Sequence, residues 1–122
     1  MGSTMRYLLL ALCAFMVLFA AVQYNDPDGL WWGVIYMIPA IFAAVAALWP
    51  ATLGSGAGRI MIMSAIAAAV VGMVHYWPQT SEFWRVDVWW HTETAREGMG
   101  MMIVLVVLAI SYFAARARSQ VR

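Results

Sequence analysis

The amino-acid sequence predicts an all-α integral membrane protein, a four-transmembrane-helix bundle with antiparallel up-down topology. Two observations lead to this fold class. Hydrophobic residues make up 65% of the 122 residues and charged residues 11%, whereas an average soluble domain is about half apolar and a quarter charged. The apolar residues also fall into four long blocks whose interiors contain no Asp, Glu, Lys or Arg. We therefore expect a single integral membrane domain over residues 1–122.

Each of the four blocks is long enough to cross a bilayer. The hydrocarbon core is about 30 Å thick and a helix rises about 1.5 Å per residue, so a span needs roughly 20 residues. A charged side chain in the middle of a span would cost about 2.5 to 3.5 kcal/mol, so the uncharged interiors support this assignment. The predicted spans cover about residues 5–22, 30–49, 60–77 and 98–115.

The first half of the chain carries three local signals. The first span is expected to be retained, because residues 20–23 lack a clean small-x-small cleavage site. Asp26 followed by Pro27 is typical of an N-cap and a first helical residue, so the second helix is expected to begin there. Pro39 removes one backbone hydrogen bond inside the second span and predicts a kink.

The second half carries signals for packing and for a further short helix. Residues 50–58 are rich in Gly and Ser and permit a tight turn between the second and third spans. Small residues at intervals of four in the third span predict its tightly packed face: Ser64, Ala68 and Gly72. The third connection is long enough for a short interfacial helix before the fourth span.

The charges are distributed asymmetrically between the two sides of the predicted bundle. The chain has no lysine, and five of its seven arginines lie at the N-terminus, in the second connection and at the C-terminus. The positive-inside rule therefore predicts that both termini are cytoplasmic, in a bacterial inner membrane. All six acidic residues lie in the first and third connections, on the outer side: Asp26, Asp28, Glu82, Asp87, Glu93 and Glu97.

Two polar clusters on the outer side are candidate site segments. Capping explains part of them, since Thr94 and Glu97 fit a capping box at the start of the fourth span. Solvent-exposed ion pairs would account for further charged residues in these two clusters. A functional interpretation joins the clusters in one polar pocket formed by Asn25, Asp26, Asp28, His91, Glu93, Arg96 and Glu97. Carboxylate and amide oxygens suit a hard divalent cation, for which the candidate ligands are Asp26, Asp28, His91 and Glu93.

These residues also carry a family resemblance. The run Val-Gln-Tyr-Asn-Asp-Pro-Asp at residues 22–28, followed by Tyr36 and by Ile-Pro-Ala at residues 38–40, resembles the transmembrane protein 220 family. The His-x-Glu-x-x-Arg-Glu pattern at residues 91–97 resembles the segment before that family's final helix. The family consists of small polytopic membrane proteins of unknown function. The resemblance therefore implies a small polytopic membrane protein, and the family pattern includes both polar clusters. It implies no activity.

The sequence favours a non-enzymatic membrane module or accessory subunit with a polar pocket at its outer face. No activated Ser or Cys is present, and Cys13 lies in an apolar span where its thiol stays neutral. One alternative is binding or transport of a cation or small polar solute. Another is an enzyme that uses His91 and a carboxylate as general base. The expected partners are the lipid bilayer and other membrane proteins or further copies of the chain, with no nucleic acid.

Overall fold

The computed structural model describes residues 2–25, 27–54, 56–80, 82 and 84–120. Within this part of the chain the structure is all-helical. The six α-helices are α1 (Gly2–Ala21), α2 (Gly29–Leu48), α3 (Pro50–Gly54), α4 (Gly56–Tyr76), α5 (Val86–His91) and α6 (Glu93–Gln120). Two 3₁₀ segments, Val22–Asn25 and Trp77–Gln79, extend α1 and α4.

Four helices are long and apolar enough to cross a membrane, as the sequence predicts. Their membrane-length segments are Ser3–Asn25, Gly29–Leu48, Gly56–Gln79 and Glu93–Ala117. The last of these is the most deeply buried inside the protein, whereas α1 and α4 expose most of their surface. The outward-facing apolar side chains are those that lipid would cover in a membrane.

Helix α6 lies between α2 and α4. The contact between α1 and α2 is the most extensive, followed by that between α4 and α6, while α2 and α4 share at most a marginal contact. The short helix α3 packs against α6, α4 and α2. Residues 50–58 thus do not form a single tight turn that pairs α2 with α4, because α3 occupies the connection and α6 fills the space between its neighbours.

Small residues allow the close approaches between helices. On α2, Ala40, Ala43 and Ala47 are at most 1% exposed in the core. On α4 the tight face differs from the predicted one, because Ser64 and Ala68 are exposed. Gly72 does pack closely: a Cβ added there would lie 2.8 Å from the sulfur of Met101 on α6.

The starts of α2 and α6 differ from the predicted caps. Helix α2 begins at Gly29 with Asp28 as its N-cap, so Asp26 and Pro27 precede the helix, and Asp26 lies outside the described residues. Helix α6 begins at Glu93, so Thr94 lies inside the helix instead of capping it. The hydroxyl of Thr94 accepts a hydrogen bond from the hydroxyl of Thr80, at 3.0 Å.

One end of the bundle collects the described acidic residues. Helices α2 and α6 begin there and α4 ends there, as the contacts between Trp32 and Glu97 and between Trp77 and Met102 demonstrate. We call this the acidic end. The predicted short helix before the fourth span is present as α5, also at this end.

Candidate functional site

A polar cavity of about 330 Å³ opens at the acidic end, between the starts of α2 and α6. We call it the acidic pocket. Its described lining residues are Gln23, Pro27, Asp28, Trp32, Tyr36, Glu93, Arg96 and Glu97. None of these is a His, Cys, Ser or Thr. The pocket thus offers carboxylates, one guanidinium, one amide, one indole and one phenol.

Helical periodicity places the lining residues on facing stripes. Asp28, Trp32 and Tyr36 follow one another at intervals of four along α2, so they share one face and descend from the rim of the pocket towards its floor. Glu93 and Glu97 occupy equivalent positions one turn apart on α6. The polar surface is therefore contributed mainly by the starts of α2 and α6, with Asp28 at the N-cap of α2 and Gln23 in the preceding 3₁₀ segment.

Trp32 joins the two stripes. Its indole Nε1–H lies 3.1 Å from Oδ2 of Asp28 and 3.1 Å from Oε2 of Glu97. The side chain is only 4% exposed, so the indole also packs as part of the core. A buried tryptophan that donates to carboxylates on two helices fixes the distance between those helices. Trp32 therefore differs from the exposed tryptophans at this end, which fit an interfacial belt.

Three carboxylates converge beside Trp32. One oxygen each of Asp28, Glu93 and Glu97 lies within 4.8 Å of the other two. Asp28 is the N-cap of α2 and Glu93 lies in the first turn of α6, where the helix dipole stabilises negative charge. Three anions at this separation nevertheless repel one another, and a cation between them would offset that repulsion.

Arg96 does not neutralise this cluster by direct pairing. Its Nη1 donates to the backbone carbonyl of Trp90, at 2.9 Å. Among the described residues, no salt bridge joins Arg96 to the three pocket acids. Its charge still lies at the edge of the cavity, which leaves the lining with an excess of negative charge.

A second group of charges at the acidic end is internally paired. Arg85 lies 2.9 Å from Glu82 and 3.0 Å from Asp87, with all three side chains about half exposed. The hydrogen bond to Glu82 and the neighbouring negative charges raise the pKa of Arg85. This exposed network already satisfies its charges, unlike the pocket acids, and exposed pairs of this kind contribute little stability.

The floor of the acidic pocket is aromatic. The ring of Tyr36 packs edge-on against Phe19, with ring centres 5.6 Å apart, and lies 6.0 Å from Trp32. Trp32 in turn lies 5.7 Å from Tyr76. Gly100 on α6 faces the hydroxyl of Tyr36, and a Cβ at this position would collide with that oxygen.

The structure places the sequence-predicted site residues in different surroundings. Asp28, Glu93, Arg96 and Glu97 line the pocket together, whereas Asn25 and His91 are exposed and do not line it. Asp26 lies outside the described residues. Of the candidate metal ligands, Asp28 and Glu93 belong to the carboxylate cluster, and the third described member is Glu97.

Trp32 was not singled out from the sequence, and Tyr36 was used only as part of the family resemblance. The signal that identifies them is their spacing: both continue the face of Asp28 at intervals of four. A polar-aromatic stripe that begins with an acid at a helix start differs from a lipid-facing stripe. Gln23 also lines the pocket, and its amide nitrogen donates to the carbonyl of Phe19 at 3.0 Å.

Comparison with known proteins identifies relatives over most of the chain. Residues 15–113 match a family described as "Transmembrane family 220, helix". The chain is 33% identical over 90 residues to a Xenopus laevis protein named "Transmembrane protein 220", an alignment that covers 74% of this chain and 48% of the relative. The chain thus spans about half the length of that relative. No solved structure matches. From the extent of the family match, the chain belongs to transmembrane family 220.

Proposed function

We propose that this chain is a non-enzymatic membrane module that binds a positively charged ligand in the acidic pocket. The observation that carries the proposal is the convergence of Asp28, Glu93 and Glu97, whose oxygens lie within 4.8 Å of one another. This separation equals about twice the 2.3 to 2.6 Å between Ca²⁺ and its oxygen ligands, so one cation can contact all three groups.

The shape of the pocket supports binding over transport. Below Tyr36 the next residues on the same face of α2 are Ala40 and Ala43, which are 1% and 0% exposed. On the facing side of α6, Val104 and Leu108 are 4% and 1% exposed. Among the described residues, the polar surface therefore ends at an aromatic floor, and the side chains below it are apolar and would oppose the passage of a charged solute.

The lining does not support the catalytic arrangement with His91 that the sequence suggests. A general base or nucleophile must reach the reacting atom at hydrogen-bond distance. His91, the base suggested by the sequence, is exposed at the end of α5 and does not line the cavity. A role as an accessory subunit fits the same pocket if the positive charge belongs to a partner protein.

Titration calorimetry on the detergent-purified chain tests the proposal, with CaCl₂, MgCl₂ and ethylammonium chloride as probes. Asp28→Asn and Glu97→Gln keep the shape of the side chain and remove one negative charge each, so we expect each to weaken binding at least several-fold. Asp87→Asn is the matched control, because it removes an exposed acid that pairs with Arg85 outside the pocket. Equal affinities in all four proteins, or no binding of any probe, would contradict the proposal.

We further propose that the acidic end faces away from the cytosol and that both termini are cytosolic. The support is the position of Arg59, at the start of α4, and of Arg116, near the end of α6, both away from the acidic end. Arg122 lies outside the described residues. A bacterial inner membrane stays a prediction without support from the comparisons, because the relative is a frog protein.

Cysteine labelling tests this orientation. Cys13 is the single cysteine of the chain, so Cys13→Ala supplies a background without thiols. Glu82→Cys places an exposed thiol at the acidic end, and Ala57→Cys places one at the opposite end. In intact cells a membrane-impermeant maleimide should label the first variant and spare the second. The reverse pattern would invert the proposed orientation.

A further inference from the structure

Tyr36 is a buried polar side chain whose hydroxyl is open to the acidic pocket. The residue is 9% exposed, and its ring is held between Phe19 and Trp32. Among the described residues, none shares a hydrogen bond with the hydroxyl, yet its oxygen is not sealed inside the protein. Because Tyr36 lines the cavity, that oxygen faces the cavity space.

A hydroxyl in this position indicates a ligand contact. The hydroxyl has no hydrogen-bond partner among the described residues, so a partner can reach it from the cavity. Gly100 makes room for the hydroxyl, since any larger residue there would collide with it. Phenylalanine would pack against the same aromatic neighbours, so packing of the ring does not require the hydroxyl. The hydroxyl is therefore available to a molecule that enters the pocket.

The hydroxyl lies deeper than the acids. It contacts Gly100, which is three residues beyond Glu97 and seven beyond Glu93 on α6. At about 1.5 Å of rise per residue, these separations correspond to roughly 4.5 and 10.5 Å along the helix axis. The pocket thus has an anionic rim and a neutral hydrogen-bonding group at its floor. A ligand that uses both must have two polar ends.

From this arrangement we propose that the ligand is a small organic ammonium compound with a second hydrogen-bonding group, which binds the hydroxyl of Tyr36. This inference rests on the proposed function and names its ligand class. An ammonium group has three N–H donors for the three carboxylates. The cavity volume of about 330 Å³ falls in the range of small-molecule sites, about 300 to 1,000 Å³. A bare metal ion would fill only a small part of it.

A matched series of ligands tests the inference. The probes are amino alcohols of two, three and four carbons, each paired with the alkylamine of the same length, titrated into the detergent-purified full chain. The paired ligands differ only in the hydroxyl that would reach Tyr36. At the best chain length, we expect the amino alcohol to bind the wild-type chain about 2- to 12-fold more tightly, which corresponds to one neutral hydrogen bond.

The variant Tyr36→Phe should abolish this preference. It removes a hydroxyl without a described protein partner, so we expect thermal unfolding to be unchanged. Tyr112→Phe is the matched control, because Tyr112 is also buried, at 7% exposed, but lies on α6 outside the pocket. That variant should keep the preference. If Tyr36→Phe does not fold, the comparison of paired ligands on the wild-type chain still decides the question.

The outcomes separate this inference from the proposed function. Equal affinities of the wild-type chain for the two members of every pair, or a preference retained in Tyr36→Phe, would overturn the inference. If CaCl₂ binds and no amine does, the inference fails while the proposed function stands. If binding of every probe is absent or survives both Asp28→Asn and Glu97→Gln, the proposed function itself fails.

Discussion

Replacing Gly100 with alanine tests the geometry of the pocket floor. A Cβ at this position would collide with the hydroxyl oxygen of Tyr36 and lie 3.3 Å from its Cζ. Either the tyrosine or α6 must therefore shift, and overpacking of this kind typically costs about 1 to 3 kcal/mol. Gly33→Ala is the matched control, because the nearest atom to its added Cβ is 3.7 Å away, an ordinary contact.

The comparison of the two alanine variants isolates the collision. Exchange of glycine for alanine in a helix also brings a gain of up to about 1 kcal/mol, but both variants share it. We therefore expect the free energy of unfolding of Gly100→Ala to be about 1 to 3 kcal/mol below that of Gly33→Ala. The measurement is unfolding of the purified chain in mixed micelles by titration with sodium dodecyl sulfate, followed by circular dichroism.

The double variant Tyr36→Phe/Gly100→Ala tests whether the hydroxyl of Tyr36 causes the expected loss of stability. In a Tyr36→Phe background the colliding oxygen is absent, and the remaining contact at 3.3 Å requires a shift of only a few tenths of an ångström. Gly100→Ala should then cost at least 1 kcal/mol less than it does in the presence of the hydroxyl, a coupling that a double-mutant cycle measures directly. Equal costs in both backgrounds would mean that Gly100 does not contact the hydroxyl, and the described floor would be wrong.

Three further predictions concern the acidic end. Trp32→Phe removes both indole hydrogen bonds to carboxylates and should lower the free energy of unfolding by about 2 kcal/mol; an unchanged unfolding midpoint would exclude a bridging role. Thr80 is 5% exposed, and Thr80→Val removes a hydroxyl that is bonded to Thr94, which should cost about 1 kcal/mol in the same assay. Acidification from pH 7 to pH 4 should weaken cation binding to the wild-type chain, because protons compete for the carboxylates, and calorimetry at both values measures the change.

The fold was predictable because its causes are local in the sequence. An uncharged block of about 20 residues crosses lipid as a helix, because a helix bonds its backbone groups internally. The predicted spans accordingly fall within α1, α2, α4 and α6, apart from one residue at the end of each of the first three. Their order in space was not predictable from this pattern, because lipid and protein interiors are equally apolar and exposed apolar faces look like buried ones.

The candidate site was partly predictable for a similar reason. Acidic residues are rare inside membrane spans and lie mostly in the connections. Asp28, Glu93 and Glu97 were therefore singled out from the sequence alone. Trp32 and Tyr36 were not, because an aromatic residue near a predicted membrane boundary has an ordinary explanation in interfacial belts. Their spacing at intervals of four from Asp28 places them on one helix face, but the contact that makes Trp32 part of the site joins it to Glu97, 65 residues away in sequence. No local pattern contains that information.

The position of α6 between α2 and α4 has a consequence for synthesis. Helices α1 and α2 can pair as soon as both have left the ribosome, since their contact is sequential. Until α6 follows, helix α4 has the five-residue α3 and only slight contact with α2, such as that between the rings of Trp32 and Tyr76, and at about 5 to 20 residues per second that interval lasts a few seconds. During this time α4 must stay inserted in lipid with few contacts to other helices, which its uncharged and apolar interior permits. Insertion of α6 is therefore the step that completes the four-helix bundle, and it creates the acidic pocket in the same event.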